Sequence, residues 1–246
     1  MLEGKRIVVT GAASGIGASV ADICASTGAR VALLDLDGQA AAVRAAQLGR
    51  SSNGHAAFQC DVSDALSVED AFSGAEEILG GIDAVVSSAG IWRPGADGPI
   101  SKVTDETWNK VIAVNLTGTF YVCRAAVARM EKRGGGSIVT IASVTALTGW
   151  EKLNAYTASK GGIVSFSRAL AIECGPKNIR VNCICPGVIE TPMTKKVLEH
   201  SPPTFLPIGR LGQPEDVART AAFLCSDWSG FTTASTVVID GGFSAA

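Results

Sequence analysis

The chain has 246 residues, of which 47% are apolar, 18% are charged and 28 are glycine. Average proteins contain about 25% charged residues and about 7% glycine, so this composition excludes an intrinsically disordered chain. The glycines follow no three-residue period, which excludes a collagen-like chain. A formal net charge of −2, with no run of basic residues longer than two, predicts no nucleic-acid partner.

The apolar stretches and the cysteines indicate the cellular compartment of the protein. No uninterrupted apolar stretch reaches about 18 residues, which predicts no membrane-spanning helix and no membrane partner. The seven cysteines are scattered and form no CxxC pair, which is typical of reduced, buried cysteines in a cytoplasmic protein. His55 and His200 are far apart in the sequence and supply no obvious zinc ligand set, so no metal site is expected.

Short β-branched runs alternate along the chain with longer segments that have helical spacing. Strands are predicted at residues 5–10, 30–34, 55–60, 83–87, 137–142, 179–185 and 236–239. Helices are predicted at residues 15–27, 38–48, 64–79 (capped by Asp64), 105–130 (interrupted near Gly118), 154–174 and 214–225. The strands are apolar throughout, as expected when both faces of a sheet are covered. The pattern predicts one α/β domain over residues 1–246, a doubly wound and mainly parallel sheet of seven strands with helices on both faces.

One segment, residues 187–212, is irregular and contains four prolines. A long irregular segment in a compact domain is usually a lid or a binding loop. Residues 188–212 are therefore predicted to form the substrate loop.

The first strand ends in a glycine-rich turn, Thr10-Gly11-Ala12-Ala13-Ser14-Gly15-Ile16-Gly17. In a Rossmann-type sheet a ligand lies beyond the carboxyl ends of the strands. Gly11 allows the turn, Gly15 lets the backbone approach a pyrophosphate, and Gly17 lets the helix pack near the sheet. Residues Gly11, Ser14, Gly15, Ile16 and Gly17 are predicted to bind the phosphates of a dinucleotide, although a glycine-rich turn alone is weak support.

Asp35 follows the second strand, 18 residues after Gly17. An acidic residue at about this distance accepts hydrogen bonds from a ribose 2′-hydroxyl and repels a 2′-phosphate. The other role for an acidic residue here is to cap the next helix, and Asp37 is better placed for it. NAD is therefore predicted in preference to NADP.

Tyr156 and Lys160 lie four residues apart on a predicted helix, so they share one face. A lysine ammonium so close is expected to lower the tyrosine pKa by about 1–3 units, which suits a general acid/base. Ser143 ends a strand 13 residues before Tyr156, where its hydroxyl would hold a carbonyl oxygen. The alternatives are a chance spacing of Tyr and Lys and an ordinary turn serine.

Taken together, these motifs resemble those of the short-chain dehydrogenase/reductase family, in its short form of about 250 residues. The resemblance covers essentially the whole chain. It is carried by Thr10-Gly11-x-x-x-Gly15-Ile16-Gly17, Asp35, Asp61-Val62, Ala89-Gly90, Asn115, Ser143, Tyr156-x-x-x-Lys160, Pro186-Gly187 and Asp240-Gly241-Gly242. One departure is visible, since the family usually has Asn where this chain has Ser87 or Ser88.

The resemblance implies a catalytic set. Tyr156 would be the general acid/base on the substrate oxygen, and Ser143 would orient and stabilise that oxygen. Lys160 would lower the tyrosine pKa and hold the nicotinamide ribose. Asn115 would position a water that links Lys160 to a proton relay. Further cofactor contacts are implied for Asp61, Val62, Ala89, Gly90, Pro186, Gly187, Ile189 and Thr191.

The substrate side is less specific. Predicted substrate contacts are Ser143 and the apolar residues Trp92, Val144, Trp150 and Met193, which favour a neutral secondary alcohol or ketone, although each Trp would equally serve packing. The sequence thus predicts an NAD-dependent alcohol dehydrogenase or ketone reductase. Two alternatives stay open, a 3-oxoacyl-thioester reductase and a non-catalytic NAD-binding scaffold. Members of the family are usually tetramers, so a homotetramer is expected.

Overall fold

A parallel sheet forms the centre of the computed structural model, which describes residues 1–48, 54–195 and 206–245. Within these residues the strand order is β3-β2-β1-β4-β5-β6-β7, and each neighbouring pair is parallel. The strands are β1 (Arg6–Thr10), β2 (Arg30–Asp35), β3 (Ala56–Gln59), β4 (Ala84–Ser87), β5 (Gly136–Ile141), β6 (Ile179–Pro186) and β7 (Thr236–Ile239). The helices are α1 (Gly15–Ser26), α2 (Gly38–Gln47), α3 (Ala65–Leu79), α4 (Asp105–Ile112), α5 (Gly118–Glu131), α6 (Asn154–Cys174) and α7 (Pro214–Cys225).

The strands contribute side chains to two hydrophobic cores, one on each face of the sheet. In β1, Val8 points to the core under α3, α5 and α6, while Ile7 and Val9 point to the core under α1, α2 and α7. All three side chains are fully buried. This alternation explains why the strands are mostly apolar on both faces, and the predicted doubly wound α/β architecture is confirmed.

The strand order reverses between β1 and β4, because the chain builds outward from β1 to β3 and then returns to β4. At such a switch point the connections leave the sheet in opposite directions and open a crevice at the carboxyl ends of the strands. The two backbones run close together there, since a Cβ on Gly11 would lie 2.8 Å from Ala89 Cα. The crevice therefore lies between the glycine-rich turn and the segment after β4.

The predicted helix at 105–130 is divided in the structure. A π-helical turn, Ala113–Thr117, separates α4 from α5. The second part begins at Gly118, whose Cβ would lie 2.9 Å from Val62 Cγ2, so that the helix passes very close to the segment after β3. A π turn inserts an extra residue into the helix and is frequent at functional sites. The interruption predicted near Gly118 thus has a tertiary cause.

Two predicted helix caps are present. The Asp64 side chain accepts from Leu66 N at 3.0 Å at the start of α3. The Asp37 side chain accepts from Ala40 N at 2.9 Å at the start of α2. Asp37, rather than Asp35, therefore caps α2, as the sequence indicated.

The segment Asp105–Arg133 is long and apolar enough to cross a membrane by length and composition, with a mean hydropathy of 1.5 over its best window. Half of that window is buried inside the protein. A core helix with one apolar side meets the same test; α5 packs against β4 and β5, and α4 packs against α6.

Candidate active site

A cleft of ≈ 400 Å³ opens at the carboxyl-end edge of the sheet, along the crevice described above. The sequence-predicted residues that line it are Gly11, Ser14, Gly15, Ile16, Gly17, Asp35, Asp61, Val62, Ala89, Gly90, Ser143, Tyr156, Lys160, Pro186, Gly187, Ile189, Thr191 and Met193. Apart from Tyr156 and Lys160, which lie on α6, these residues lie at or after the carboxyl ends of six strands, β1 to β6. The topology therefore brings together nearly all of the predicted cofactor and catalytic residues.

The glycine-rich turn presents bare backbone to the cleft. Gly11 has a φ of 64°, which favours glycine, and a Cβ on Gly17 would lie 2.2 Å from the carbonyl oxygen of Gly11. Ser14 precedes α1 in an extended conformation and makes no side-chain cap. The first-turn N–H groups of α1 therefore have no side-chain acceptor from Ser14, which suits an anionic ligand.

Asp35 lies at the far side of this turn, at the end of β2. Its carboxylate accepts from Ala13 N at 2.9 Å and from Asp37 N at 3.0 Å. These two bonds fix the carboxylate against the glycine-rich turn while it still lines the cleft. It is placed where a sugar hydroxyl on a ligand at the turn would meet it.

Asp61 follows β3 on the same edge. Its carboxylate accepts from the Ser63 hydroxyl at 2.6 Å and from Ser63 N at 2.9 Å. The Ser63 hydroxyl is the main reason that the pKa of Asp61 lies below its usual range, and the charge of Lys110 adds to the shift. Lys110, on α4, also lines the cleft and was not predicted from the sequence.

Lys160 and Tyr156 are brought to the other end of the cleft by α6. Lys160 is 4% exposed, and its Nζ donates to the carbonyl of Ile141 at 3.0 Å, at the end of β5. Its Nζ lies 5.6 Å from the centroid of the Tyr156 ring. Ser143 lies just after β5, and its hydroxyl accepts from Thr145 N at 3.2 Å. The three side chains thus converge from β5 and α6.

Burial shifts the pKa values of Tyr156 and Lys160. The pKa of Tyr156 is raised to about 12, because burial disfavours the phenolate more than the hydrogen bond with Ser143 favours it. Burial also lowers the pKa of Lys160 to about 8, against the opposite effect of the Cys183 and Cys185 thiols. The net shift of the Tyr156 pKa in this structure is therefore upward, and the lowering by Lys160 stays a prediction. Tyr156 is therefore a protonated acid at neutral pH.

Asn115 lies in the π turn, fully buried beneath the cleft rather than on its wall. Its side-chain oxygen accepts from Ile91 N at 2.8 Å, and its Nδ2 donates to Ile91 O at 3.0 Å. The same Nδ2 donates to the Ser159 hydroxyl at 3.0 Å. The amide therefore ties the segment after β4 to α6. The predicted water-positioning role of Asn115 stays a prediction.

The predicted substrate residues divide into two groups. Met193 and Ser143 line the cleft. Val144 is 2% exposed and packed in the interior, and Trp150 contacts Phe243 with ring centroids 5.3 Å apart. The Trp92 ring lies 6.4 Å from the Tyr156 ring but is not on the cleft wall. Val144, Trp92 and Trp150 are not among the residues that line this cleft, so their predicted substrate contacts stay predictions. Residues 196–205 of the predicted substrate loop lie outside the described residues.

Two residues that support the site were missed by sequence reasoning. The Thr10 hydroxyl accepts from Ser88 N at 3.1 Å and from Ala89 N at 3.2 Å, so it joins the ends of β1 and β4. This contact satisfies the backbone at the Ser87–Ser88 position where the sequence departs from the family pattern. Asp97 accepts from two backbone donors at the start of α6. Neither contact has a local sequence signal, since each partner is far along the chain.

Comparisons with known proteins agree with this geometry. A family model described as enoyl-(acyl carrier protein) reductase matches residues 11–244. D-threitol dehydrogenase of Mycolicibacterium smegmatis is 41% identical, over 98% of this chain and 94% of that protein. The 3-oxoacyl-(acyl-carrier-protein) reductase FabG of Chlamydia trachomatis is 37% identical, over 98% of each chain. The crystal structure of levodione reductase covers 100% of both chains with a TM-score of 0.94 and 31% identity.

These relatives match the chain over nearly its whole length. They are named as a dehydrogenase and as reductases. The chain therefore belongs to the short-chain dehydrogenase/reductase family and is an oxidoreductase acting on CH–OH groups.

Proposed function

We propose that this protein interconverts a secondary alcohol and its ketone, with NAD preferred to NADP and Tyr156 as the general acid/base. One observation carries the proposal. A single cleft has the glycine-rich turn and Asp35 at one end and Ser143, Tyr156 and Lys160 at the other. β2 and β5 are three strand spacings apart, roughly 14 Å, which leaves room for an extended dinucleotide between them.

The residues present fit a nicotinamide dinucleotide. The first-turn N–H groups of α1, which Ser14 leaves uncapped, suit the pyrophosphate. The Asp35 carboxylate would accept from the adenosine ribose hydroxyls and repel a 2′-phosphate. Pro186, Gly187, Ile189 and Thr191 would hold the nicotinamide end. Asp61, Val62, Ala89 and Gly90 would border the adenine half of the cleft.

The chain's own residues supply the proton path. When bound, the nicotinamide ring accepts or gives up the hydride. The hydroxyls of Ser143 and Tyr156 would hold the substrate oxygen. In the reducing direction, neutral Tyr156 donates its proton to the oxygen as the carbonyl becomes an alcohol. In the oxidising direction, Tyr156 must first lose that proton and then takes the one on the alcohol, and a charged Lys160 nearby stabilises the phenolate.

The substrate is proposed to be neutral and partly apolar. Near Ser143 and Tyr156, the cleft wall includes Ile91, Ala142 and Met193. A second candidate, a 3-oxoacyl-thioester reductase, is supported by the similarity to the reductases of Chlamydia species. The Asp35 carboxylate disfavours that candidate where the reaction depends on NADPH, since a 2′-phosphate would meet like charge.

The assembly is proposed to be a homotetramer of single-domain, cytoplasmic chains in which residues 188–212 cover the substrate. Apolar side chains are exposed on the helices, with Phe120 at 41% and Ile172 at 74%. β7 is an outer strand of the sheet, and Val238 on it is 38% exposed. Such surfaces favour association with further copies. The seven cysteines, all within the described ranges, are free and buried, which suits a reducing compartment.

A substrate screen tests the proposed function. NAD reduction would be measured over polyols, cyclic and aromatic secondary alcohols and 3-hydroxyacyl thioesters, with Tyr156→Phe as the control. We expect turnover with at least one neutral alcohol, a weaker response with NADP, and loss of turnover in the variant. A preference for NADPH and a thioester would favour the second candidate. NADH binding without turnover on any class would favour a non-catalytic scaffold.

A further inference from the structure

A buried carboxylate that the proposed chemistry does not use lies beside the start of α6. Asp97 is 2% exposed. One of its oxygens accepts from Ala155 N at 3.1 Å, and the other accepts from Tyr156 N at 2.9 Å. These are two of the four backbone donors that the first turn of a helix leaves without an intrahelical partner.

The helix has no cap of its own. Leu153, the residue before α6, has a side chain that cannot accept a hydrogen bond. By contrast, α2, α3 and α4 are capped locally by Asp37, Asp64 and Thr104. Asp97 therefore caps α6 from 58 and 59 residues upstream. The two N–H donors and the positive end of the helix offset the cost of burying the carboxylate.

Asp97 belongs to the segment 91–98, which the structure fixes at both ends. Asn115 holds Ile91 through both of its backbone groups, at 2.8 and 3.0 Å. At the other end, Asn154 Nδ2 donates to Gly98 O at 2.8 Å, beside the two bonds of Asp97. The start of the catalytic helix is thus attached to the segment after β4 by three hydrogen bonds.

Tyr156 and Lys160 are held by different contacts. Lys160, one turn further along α6, is fixed from below by the carbonyl of Ile141. Tyr156 lies in the first turn, and Asp97 binds its backbone N–H directly. Loss of the Asp97 contacts would therefore release the tyrosine end of the pair while the lysine end stays anchored.

We propose that Asp97 is a positioning residue, which holds the first turn of α6 so that the Tyr156 hydroxyl stays aligned with Ser143 and the substrate oxygen. This inference rests on the proposed function, in which Tyr156 transfers the proton. A displacement of about 1 Å at a reacting group can cost roughly 10²-fold in rate. Asp97 itself touches neither substrate nor cofactor.

The test compares kcat with cofactor binding in Asp97→Asn and Asp97→Ala. Asp97→Asn keeps the shape but has only one acceptor oxygen, so kcat should fall about tenfold, and Asp97→Ala should lose about 10²-fold. The KM for NAD and the Kd for NADH, measured by fluorescence titration, should stay within about twofold of the wild-type values, since Lys160 and the glycine-rich turn are untouched. If Asp97→Ala does not fold, the near-isosteric Asp97→Asn carries the test.

Asp83→Asn is the matched control, since Asp83 also accepts from a backbone N–H, that of Arg6 at 2.9 Å, but precedes β4 at the opposite edge of the sheet. It should lower Tm and leave kcat unchanged. Asp97→Asn with the wild-type kcat, or with kcat and NADH affinity falling together, would overturn the positioning role. Tyr156→Phe, measured in the same series, distinguishes a failure of the proposed function from a failure of the positioning role of Asp97. Turnover in that variant would overturn the proposed function, whereas an inactive Tyr156→Phe beside a fully active Asp97→Asn would overturn only the role of Asp97.

Discussion

The two edges of the parallel sheet are made from the same strands but treat their polar groups differently. At the amino-end edge, Arg6 Nε donates to the Asp83 carboxylate at 2.6 Å, and Arg6 Nη1 donates to Gly80 O at 2.7 Å. Arg6 N also donates to Asp83 at 2.9 Å. The charges here neutralise one another within the chain, so this edge has a structural role.

At the carboxyl-end edge, Ser14 and Asp35 are not paired with other side chains among the described residues in the way that Arg6 and Asp83 are. Ser14 leaves the start of α1 without a side-chain cap, and the Asp35 carboxylate receives only backbone N–H groups. Burial moves the pKa values of Tyr156 and Lys160 apart, to about 12 and about 8. The difference indicates that groups at the amino-end edge stabilise the fold, whereas groups at the carboxyl-end edge serve binding and proton transfer. Substitutions at the two edges should therefore separate activity from stability.

The largest effect is expected from Tyr156→Phe, which removes the proton donor and keeps the ring. Turnover should fall by about 10²- to 10⁴-fold, the usual contribution of general acid–base catalysis. NADH affinity and Tm should stay close to the wild-type values, because the hydroxyl is not needed to pack the ring. Steady-state kinetics measure the turnover, and a fluorescence titration on the same preparation measures the NADH affinity. Near-normal turnover would refute the assignment of Tyr156.

The pH dependence of oxidation distinguishes the sequence-based pKa from the structural one. With the pKa of Tyr156 at about 12, the fraction in the base form rises about tenfold for each pH unit below that value. The kcat/KM for alcohol oxidation should therefore climb steadily from about pH 6 to about pH 7, where Lys160, with a pKa of about 8, is still mostly charged. A plateau reached within this range would mean that the tyrosine pKa is lowered, as the sequence alone predicted.

Asp35→Asn tests the cofactor end of the same edge. Removing the charge should reduce repulsion of a 2′-phosphate, so the ratio of kcat/KM for NADP to that for NAD should rise about tenfold or more. Asp37→Asn is the control, because Asp37 caps α2 through Ala40 N and should change stability only slightly. An unchanged ratio in Asp35→Asn would remove the basis for the NAD preference.

The smallest effect on activity is expected from Arg6→Gln at the amino-end edge. Burial by itself would raise the pKa of Asp83, but the hydrogen bonds and charge of Arg6 hold it below its ordinary value. Losing this partner should lower the free energy of unfolding by about 1–3 kcal/mol at neutral pH. Each kcal/mol corresponds to about 2–4 °C in Tm, and kcat should stay unchanged. Because a lowered carboxyl pKa stabilises the fold above the unfolded pKa, the difference in Tm between Arg6→Gln and wild type should shrink below about pH 4. Thermal unfolding at several pH values would show it, and a difference that persists in acid would contradict it.

Much of the fold follows from local patterns. The ends of α6, α7 and β7 agree with the predicted ones, and the other strand ends differ by at most one residue. Asp64 and Asp37 were recognised as caps because a cap and the backbone N–H groups that donate to it are neighbours in the chain. The parallel architecture was predictable because strands buried on both faces must be apolar at every position.

The candidate site was predictable where a residue type that is typical of ligand binding directly follows a strand. The glycine-rich turn and Asp35 were placed correctly at the cleft, since their spacing reflects one βαβ unit. The direction of the loop side chains was not predictable, and Trp92, Trp150 and Val144 do not line the cleft wall. Loop conformation depends on contacts with several distant segments, which local spacing does not encode.

The sequence by itself determined the doubly wound sheet, the edge where ligands meet it, and the residue types that cluster there, because hydrophobic period and turn chemistry are local properties. Only the tertiary structure decided the π turn that buries Asn115, the capping of α6 by Asp97, and the direction of the Tyr156 pKa shift. Each of these depends on desolvation or on a hydrogen bond between segments far apart in the chain. The chemistry of the site therefore rests on contacts that only the folded chain creates.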